Sequence, residues 1–383
     1  MYKKKFLILQ RVCQKYRIPI FEHLYKKKNI EFKLIYGDDL PNTKTRTSGD
    51  LSKFESIKIR SIHFNLFSYT FTYPIGLIRL LLKIKPDVVL CEGESFFLGY
   101  LKTFLYRFFF NKKLGIMHWC YVSLPGVIEK KGSIKYFVKS FFRDKFDACV
   151  LYSSYSLKSY IALGQKPEKG FVATNVGDTE EFLKKHKKIK ETKEELRKTL
   201  ELPNIFTVLF VGNLSDQKKP FLLLDIFENL KDEEFNLVLI GSGLLEKSIK
   251  NEIKKRNIKN IQMLGHKFED LVKYYVASDC LILPGLGGMV ISEALASSLP
   301  VVMHKSDGVE YDLIIDYKTG FRVKNANSEE FIKKIRYLKD NPDEREKMAY
   351  ECKKLIKEKF NTKNMVQKII EAADFSLQKR KDY

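Results

Sequence analysis

Val208-Leu209-Phe210-Val211 runs directly into Gly212-Asn213-Leu214-Ser215-Asp216-Gln217-Lys218-Lys219-Pro220, and the apolar helical stretch Phe221–Leu230 follows. A short apolar run, a glycine turn and an amphipathic helix make one βα unit. The arrangement recurs twice. Leu237–Ile240 enters Gly241-Ser242-Gly243, and Leu281-Ile282-Leu283-Pro284 enters Gly285-Leu286-Gly287-Gly288 before the helix Met289–Ala296. Glycine at such a junction lets backbone N–H groups approach a ligand where the helix dipole favours anions. Three such junctions, the first carrying paired lysines, point to a phosphate-bearing ligand.

Working outward, further strands are expected at Ile261–Leu264, Val301–Met303 and Gly320–Val323. The first half offers Lys5–Leu9, Phe32–Tyr36, Asp87–Cys91, Leu114–His118, Cys149–Tyr152 and Phe171–Thr174, with helices at Ile75–Ile84 and Ser133–Phe146. This alternation predicts an α/β protein with two Rossmann-like domains in tandem. Open sheets of this kind bind ligands beyond their strand carboxyl ends, so two facing edges would form a deep interdomain cleft. The polar, lysine-rich stretch Leu183 to Glu201 separates the halves. We therefore expect domains at 1–183 and 184–361, then a charged helical end at 362–383.

Composition narrows the function classes. With 383 residues, 44% hydrophobic, 29 Phe and 20 Tyr, the chain has apolar surface enough for two cores, which excludes dominant disorder. Cys13, Cys91, Cys120, Cys149, Cys280 and Cys352 are scattered through apolar runs. They read as buried small hydrophobes of a reducing cytoplasm rather than a disulfide frame or a zinc site. The apolar run Phe6–Leu9 is too short for an export signal, and Phe64–Ile78, broken by Pro74, is too short to span a bilayer.

Net charge is +22, and residues 1–180 hold +16 of it. Phe96–Lys113 and Tyr136–Arg143 mix aromatic and basic residues, as helices lying on an anionic membrane surface do. Peripheral attachment to the inner face of the plasma membrane is the localisation this implies. Charge alone also fits nucleic acid, but no recognised binding module is present, so no nucleic-acid partner is expected.

The order of motifs resembles the retaining GT-B glycosyltransferases of family 4. The segments that carry the resemblance are Phe210–Leu214 with Lys218, Gly241-Ser242-Gly243, Leu264-Gly265-His266, Tyr274–Asp279, Leu283-Pro284, Glu293–Ala296, Pro300–Val302 and Thr319–Phe321. Tyr152–Ser156 and Asn175–Thr179 fit the end of the family's first domain. The resemblance implies a sugar transfer with retained configuration, from a UDP- or GDP-linked donor to a lipid-linked or saccharide acceptor in cell-surface glycan synthesis. It also implies no metal or other cofactor, and a last helix that returns to the first domain.

Carried over by position, Lys218 faces the donor diphosphate as the catalytic cation, with Lys219 standing where relatives have glycine. Glu293 accepts hydrogen bonds from the donor ribose. Gly212, Gly243 and His266 line the donor site, His266 near the base. Two positions depart from the pattern. Gly285 replaces the family's first glutamate, leaving Gly287 and Gly288 to offer backbone N–H groups, and Asn213 replaces an arginine beside the diphosphate. In the first domain, His118 reads either as the histidine facing the transferred sugar or as a core residue beside Trp119. Arg11 and Arg17 are candidates for acceptor phosphate, or else solvated. Glu92 and Glu94 are candidates for acceptor hydroxyls or for proton removal.

Two other readings stay open on these residues. A nucleotide-sugar epimerase of the same fold would need acidic and basic groups assembled for hydrolysis. A non-catalytic, nucleotide-sugar-binding partner subunit would explain the losses at 285 and 213.

Overall fold

The computed structural model describes residues 3–40, 46–66, 69–93, 97–120, 122–125, 134–267 and 270–381. The chain divides into two compact units, residues 1–175 with 362–383 and residues 176–361.

The first unit contains β1 (Lys4–Gln10), α1 (Ile18–Tyr25), β2 (Ile30–Tyr36), β3 (Ser56–Lys58), β4 (Ser61–Leu66), β5 (Tyr69–Pro74), α2 (Leu77–Ile84) and β6 (Val88–Glu92). It continues through α3 (Phe97–Phe109), β7 (Gly115–Cys120), α4 (Ile134–Lys145), β8 (Ala148–Leu151), α5 (Ser154–Ala162) and β9 (Gly170–Val172). Seven strands form a parallel sheet in the order β3-β2-β1-β6-β7-β8-β9, and β4 and β5 pair separately as an antiparallel hairpin. Strand alternation divides the core. Leu7, Leu9, Val89, Cys91, Ile116, Cys149 and Leu151 share one cluster with Tyr100, Tyr106 and Phe146 from the α3 and α4 region.

The second unit contains α6 (Thr179–Lys188), α7 (Lys193–Thr199), β10 (Phe206–Val211), α8 (Pro220–Glu228), β11 (Phe235–Ile240), α9 (Glu246–Lys255), β12 (Ile261–Gly265) and α10 (Leu271–Ala277). Then come β13 (Cys280–Leu286), α11 (Val290–Ala296), β14 (Val301–Lys305), α12 (Glu310–Leu313), β15 (Gly320–Arg322), α13 (Ser328–Asp340) and α14 (Pro342–Glu358). Its six strands are parallel in the order β12-β11-β10-β13-β14-β15. The buried carboxylate of Asp279 ties α7 to this sheet. It accepts from Arg197 at 2.5 Å, Lys193 at 3.0 Å and the Thr207 N–H at 2.7 Å. Burial alone would raise this carboxyl's pKa, but Lys193 and Arg197 hold it below the usual value.

The chain then enters α15 (Thr362–Gln378), which packs on α1, β7, β8 and β9 of the first unit. The division falls at 175/176 rather than at 183/184. Residues 176–183 group with the second unit because α6 packs on α10, α11 and α14, and the Gly177 N–H donates to Ser292 Oγ at 3.0 Å.

All twelve expected strands are present within a few residues of their expected ends. β3 and the β4–β5 hairpin went unread.

Candidate active site

The carboxyl ends of β10, β11 and β13 bring the glycine junctions of the second unit together. A Cβ on Gly241 would stand 1.8 Å from the Gly212 carbonyl oxygen, and one on Gly243 would stand 2.4 Å from that of Leu214. Backbone bonds accompany this crossing, from Gly212 N to the Ile240 carbonyl and from Leu214 N to the Ser242 carbonyl, both at 3.0 Å. Gly241 and Gly243 therefore owe their lack of a side chain to loop-on-loop packing. A ligand is not needed to explain them.

Lys218 ends a short 3-10 turn, Asp216–Lys218, and its ammonium donates to the carbonyls of Leu286 at 2.5 Å and Gly287 at 2.6 Å. An ammonium has three N–H bonds, so one remains for a ligand. Burial pulls its pKa below the usual lysine value, and Asp307 opposes that shift. A Cβ on Gly288 would lie 3.8 Å from Lys218 Nζ, placing this loop beside the ammonium.

The same turn explains the missing carboxylate. A Cβ on Gly285 would sit 2.2 Å from the Gln217 carbonyl oxygen and 2.4 Å from the Lys218 carbonyl carbon. No side chain fits there. Gly285 is buried beneath the turn, so that position can offer a donor no side chain. The Gly287 N–H, expected to face the donor, instead donates to the Lys305 carbonyl at 2.8 Å. Of that pair only Gly288 keeps an N–H without a backbone acceptor among the described residues. Asn213 and His266 are exposed, at the ends of β10 and β12.

Lys219 is exposed and left-handed, with φ 50° and ψ 49°, between the turn and Pro220 at the start of α8. This conformation explains why glycine suits the position. Lys219→Gly is expected to leave the fold unchanged and to stabilise it by about 1 kcal/mol or less. Chemical denaturation checks this; a clear loss of stability would show that the lysine side chain holds the turn.

Glu293 lies in the first turn of α11 and accepts a hydrogen bond from the Tyr275 hydroxyl at 3.1 Å. Burial raises its pKa to about 7, the Tyr275 bond opposes this, and Glu181 and Asp178 add to the rise. Next to it, Ser292 Oγ donates to the Met289 carbonyl at 2.8 Å. Sequence reasoning assigned no role to Tyr275 or Ser292, although Tyr275 lies in a quoted motif. Glu310, at the start of α12, accepts from the Gly308 N–H at 2.9 Å and shapes the loop that carries Ser306, beside Gly287.

In the first unit the strand ends meet at a buried cation. Arg17 is 1% exposed. It donates to Tyr152 Oη at 2.8 Å, Asn175 Oδ1 at 3.2 Å and Glu92 Oε1 at 3.3 Å, and its guanidinium lies 3.8 Å from the Trp119 ring centroid. Burial works against its charge, but Tyr152, Tyr16 and Glu92 more than compensate and raise its pKa. Arg17 is therefore neither solvated nor exposed to take a phosphate. Sequence reasoning missed Trp119, Tyr152 and Asn175 as its partners.

Glu92, at the end of β6, has its pKa raised by burial, with Arg17 and Arg11 pulling it back. Arg11 is half-buried after β1; burial lowers its pKa and Glu92 opposes. Glu94 lies outside the described residues. His118 is not at a strand end, since β7 runs on to Cys120. Its ring stacks on Phe146 at 4.6 Å and meets Tyr100 edge-on at 6.0 Å, while Nδ1 lies 3.3 Å from Cys120 Sγ. It sits in the aromatic core. Among the described residues, no group of three or more His, Cys, Asp or Glu side chains converges to hold a metal ion.

Residues 191–355, which include Lys218, Glu293 and all three glycine junctions, match the family model described as glycosyl transferases group 1. The match covers less than half of the chain. The chain is also similar to curated glycosyltransferases. An uncharacterized glycosyltransferase of Methanocaldococcus jannaschii is 32% identical over 162 residues, 41% of this chain and 45% of that protein. A putative teichuronic acid biosynthesis glycosyltransferase of Bacillus subtilis, TuaC, is 35% identical over 123 residues, 31% of this chain and 30% of that protein. The chain thus spans less than half the length of these relatives.

Solved structures extend the likeness to the whole fold. A glycosyltransferase from Rickettsia africae matches at a TM-score of 0.77 with 18% identity, over 99% of this chain and 100% of that one. Anabaena Alr3699/HepE, crystallised with UDP, matches at 0.76 with 15% identity, over 97% and 99%. The group 1 segment is therefore part of a two-unit, GT-B-type α/β fold.

Proposed function

We propose that the protein transfers a sugar from a nucleotide-diphosphate donor, UDP- or GDP-linked, to a lipid-linked or saccharide acceptor, with retained configuration, in cell-surface glycan synthesis. The observation that carries this reading is Lys218, fixed by two loop carbonyls with one N–H left over beside Gly288. A half-buried ammonium held in advance stabilises negative charge that develops on a departing diphosphate. In the transfer, the sugar C1–O bond to the diphosphate breaks. A new C1–O bond to the acceptor hydroxyl forms on the same face, and the hydroxyl proton passes to the leaving phosphate oxygen. Lys218 steadies that oxygen's charge, and Glu293, oriented by Tyr275, receives the donor ribose hydroxyls.

The first unit takes the acceptor, with Glu92 and Arg11 as its polar groups and Arg17 as the buried brace behind Glu92. The protein works as a peripheral enzyme on the inner face of an anionic membrane, without a metal ion. Among the described residues no helix is long and apolar enough to cross a membrane.

Thermal-shift measurement against UDP-, GDP- and CMP-sugars tests the donor assignment. A cognate donor at 100-fold over its Kd should stabilise by about 2.7 kcal/mol. A panel with no stabilising member would remove the nucleotide-sugar reading.

A further inference from the structure

The first unit carries 36 Lys and Arg against 16 Asp and Glu, a net of +20, which leaves +2 for the second unit. On that charged unit, the carboxyl end of α3 exposes three consecutive phenylalanines: Phe108 at 71%, Phe109 at 66% and Phe110 at 57%. They are not loose side chains. Phe108 and Phe109 meet edge-to-face at 4.9 Å, and Phe110 stacks on the buried Tyr106 at 6.0 Å. Beneath them, Phe104 of α3 packs on Phe142 of α4 and on Phe146, so the exposed cluster stands on a rigid aromatic base. Phe141 of α4 is also exposed, with Lys145 Nζ 5.1 Å from its ring centroid.

Cations border this cluster. Lys112 and Lys113 follow Phe110 directly and are exposed, and neither has a carboxylate partner among the described residues. Asn111 donates to the Pro86 carbonyl at 3.2 Å, which brings exposed Lys85 to the same turn. The nearby acidic groups are few. Asp147 is already bound by Arg107 and Arg380, and Asp144 on α4 is exposed.

We infer that Phe108, Phe109 and Phe110 form a wedge that inserts into the interface of an anionic lipid bilayer, with Lys85, Lys112 and Lys113 on the lipid headgroups. Contiguous exposed aromatic surface on an otherwise well-packed protein marks an interaction site, and aromatic rings with flanking cations match the chemistry of an anionic bilayer surface. A second copy of this chain fits less well, because it would bring an equally positive rim against this one. The inference rests on the reading of the first unit as the side that meets a membrane-borne acceptor, and it names the surface that does so.

The test is co-sedimentation with vesicles of phosphatidylcholine containing about a third phosphatidylglycerol, in the absence of donor. The intact protein should bind these vesicles and not pure phosphatidylcholine. The triple variant Phe108→Ser, Phe109→Ser, Phe110→Ser should bind at least tenfold more weakly, and Lys112→Glu with Lys113→Glu should also weaken binding. As a second readout, Phe109→Trp should be quenched by brominated lipid, over a background set by the buried Trp119 of the unsubstituted protein. Failure of the intact protein to bind, unchanged binding of the triple variant, or an unquenched Phe109→Trp overturns the inference. So does a dimer in solution that the triple variant dissolves. Donor-induced thermal stabilisation, measured without vesicles, should be the same in the intact protein and both multiple variants. A failure of the donor reading is thereby told apart from a failure of the wedge.

Discussion

Glu293→Gln should make the protein more stable above neutral pH while weakening its grip on the donor. Glu293 has a pKa of about 7 in the fold, chiefly because burial penalises its charge. In the unfolded chain an ordinary glutamate titrates near 4.5. Because the folded value is the higher one, the stabilising contribution is complete below about pH 4.5 and is lost as pH rises through 7. A difference of about 2.5 pH units corresponds to an upper limit of about 3 kcal/mol, reduced because the side chain is only partly shielded from water. Glutamine keeps the shape and an acceptor for the Tyr275 hydroxyl, and it carries no charge. The variant should therefore match the parent near pH 4.5 and exceed it at pH 8 by up to that amount. Urea unfolding at both pH values reads this directly.

Donor affinity should move the other way, falling by roughly tenfold, since hydroxyl bonds to a carboxylate are stronger than those to an amide. Donor binding by the unsubstituted protein should likewise weaken as pH drops below 7. Should Glu293→Gln be less stable at pH 8, or bind donor as well as before, the carboxylate is a structural partner of Tyr275 and not a ribose ligand.

Lys218→Ala should lower turnover by roughly 100- to 1000-fold, equivalent to about 2–4 kcal/mol of transition-state stabilisation. The donor KM should change much less, because the ammonium acts most strongly on charge that appears as the diphosphate leaves. The lysine also ties the 216–218 turn to the Leu286 and Gly287 carbonyls, so some stability will be lost as well. Lys218→Met separates the two effects, since it keeps most of the packing and removes the charge. Equal losses of turnover in both variants, with Lys218→Met melting near the parent, support the catalytic role. Unimpaired turnover in Lys218→Met would reduce Lys218 to a bolt for the loop.

The parallel sheets were legible because a buried strand in this fold is a short apolar run, and β1, β6, β10 and β11 each announce themselves that way. The hairpin of β4 and β5 has no such run; it exposes Ile62, Phe64 and Tyr73 and joins neither large sheet. Lys218 and Glu293 were singled out through motif spacing and the family resemblance, which local sequence can carry. Arg17 was misread because burial of a guanidinium depends on partners far along the chain. Glu92, Tyr152 and Asn175 lie 75, 135 and 158 residues away, and nothing local to Tyr16-Arg17-Ile18 reports them. The glycines misled in a different way. A glycine forced by a neighbouring backbone, as at 241 and 285, looks the same in sequence as one that makes room for a phosphate.

The close approach of the Gln217 carbonyl to Gly285 has a consequence for redesign. An acidic side chain cannot be grafted onto the end of β13 by changing residue 285 alone, because the main chain of the preceding turn already fills the volume. The turn length and residue 285 form one unit of inheritance. A swap that restores the glutamate must also import a loop from Asn213 to Pro220 that stands further off. Homologues with and without that carboxylate should accordingly differ in how this loop is built.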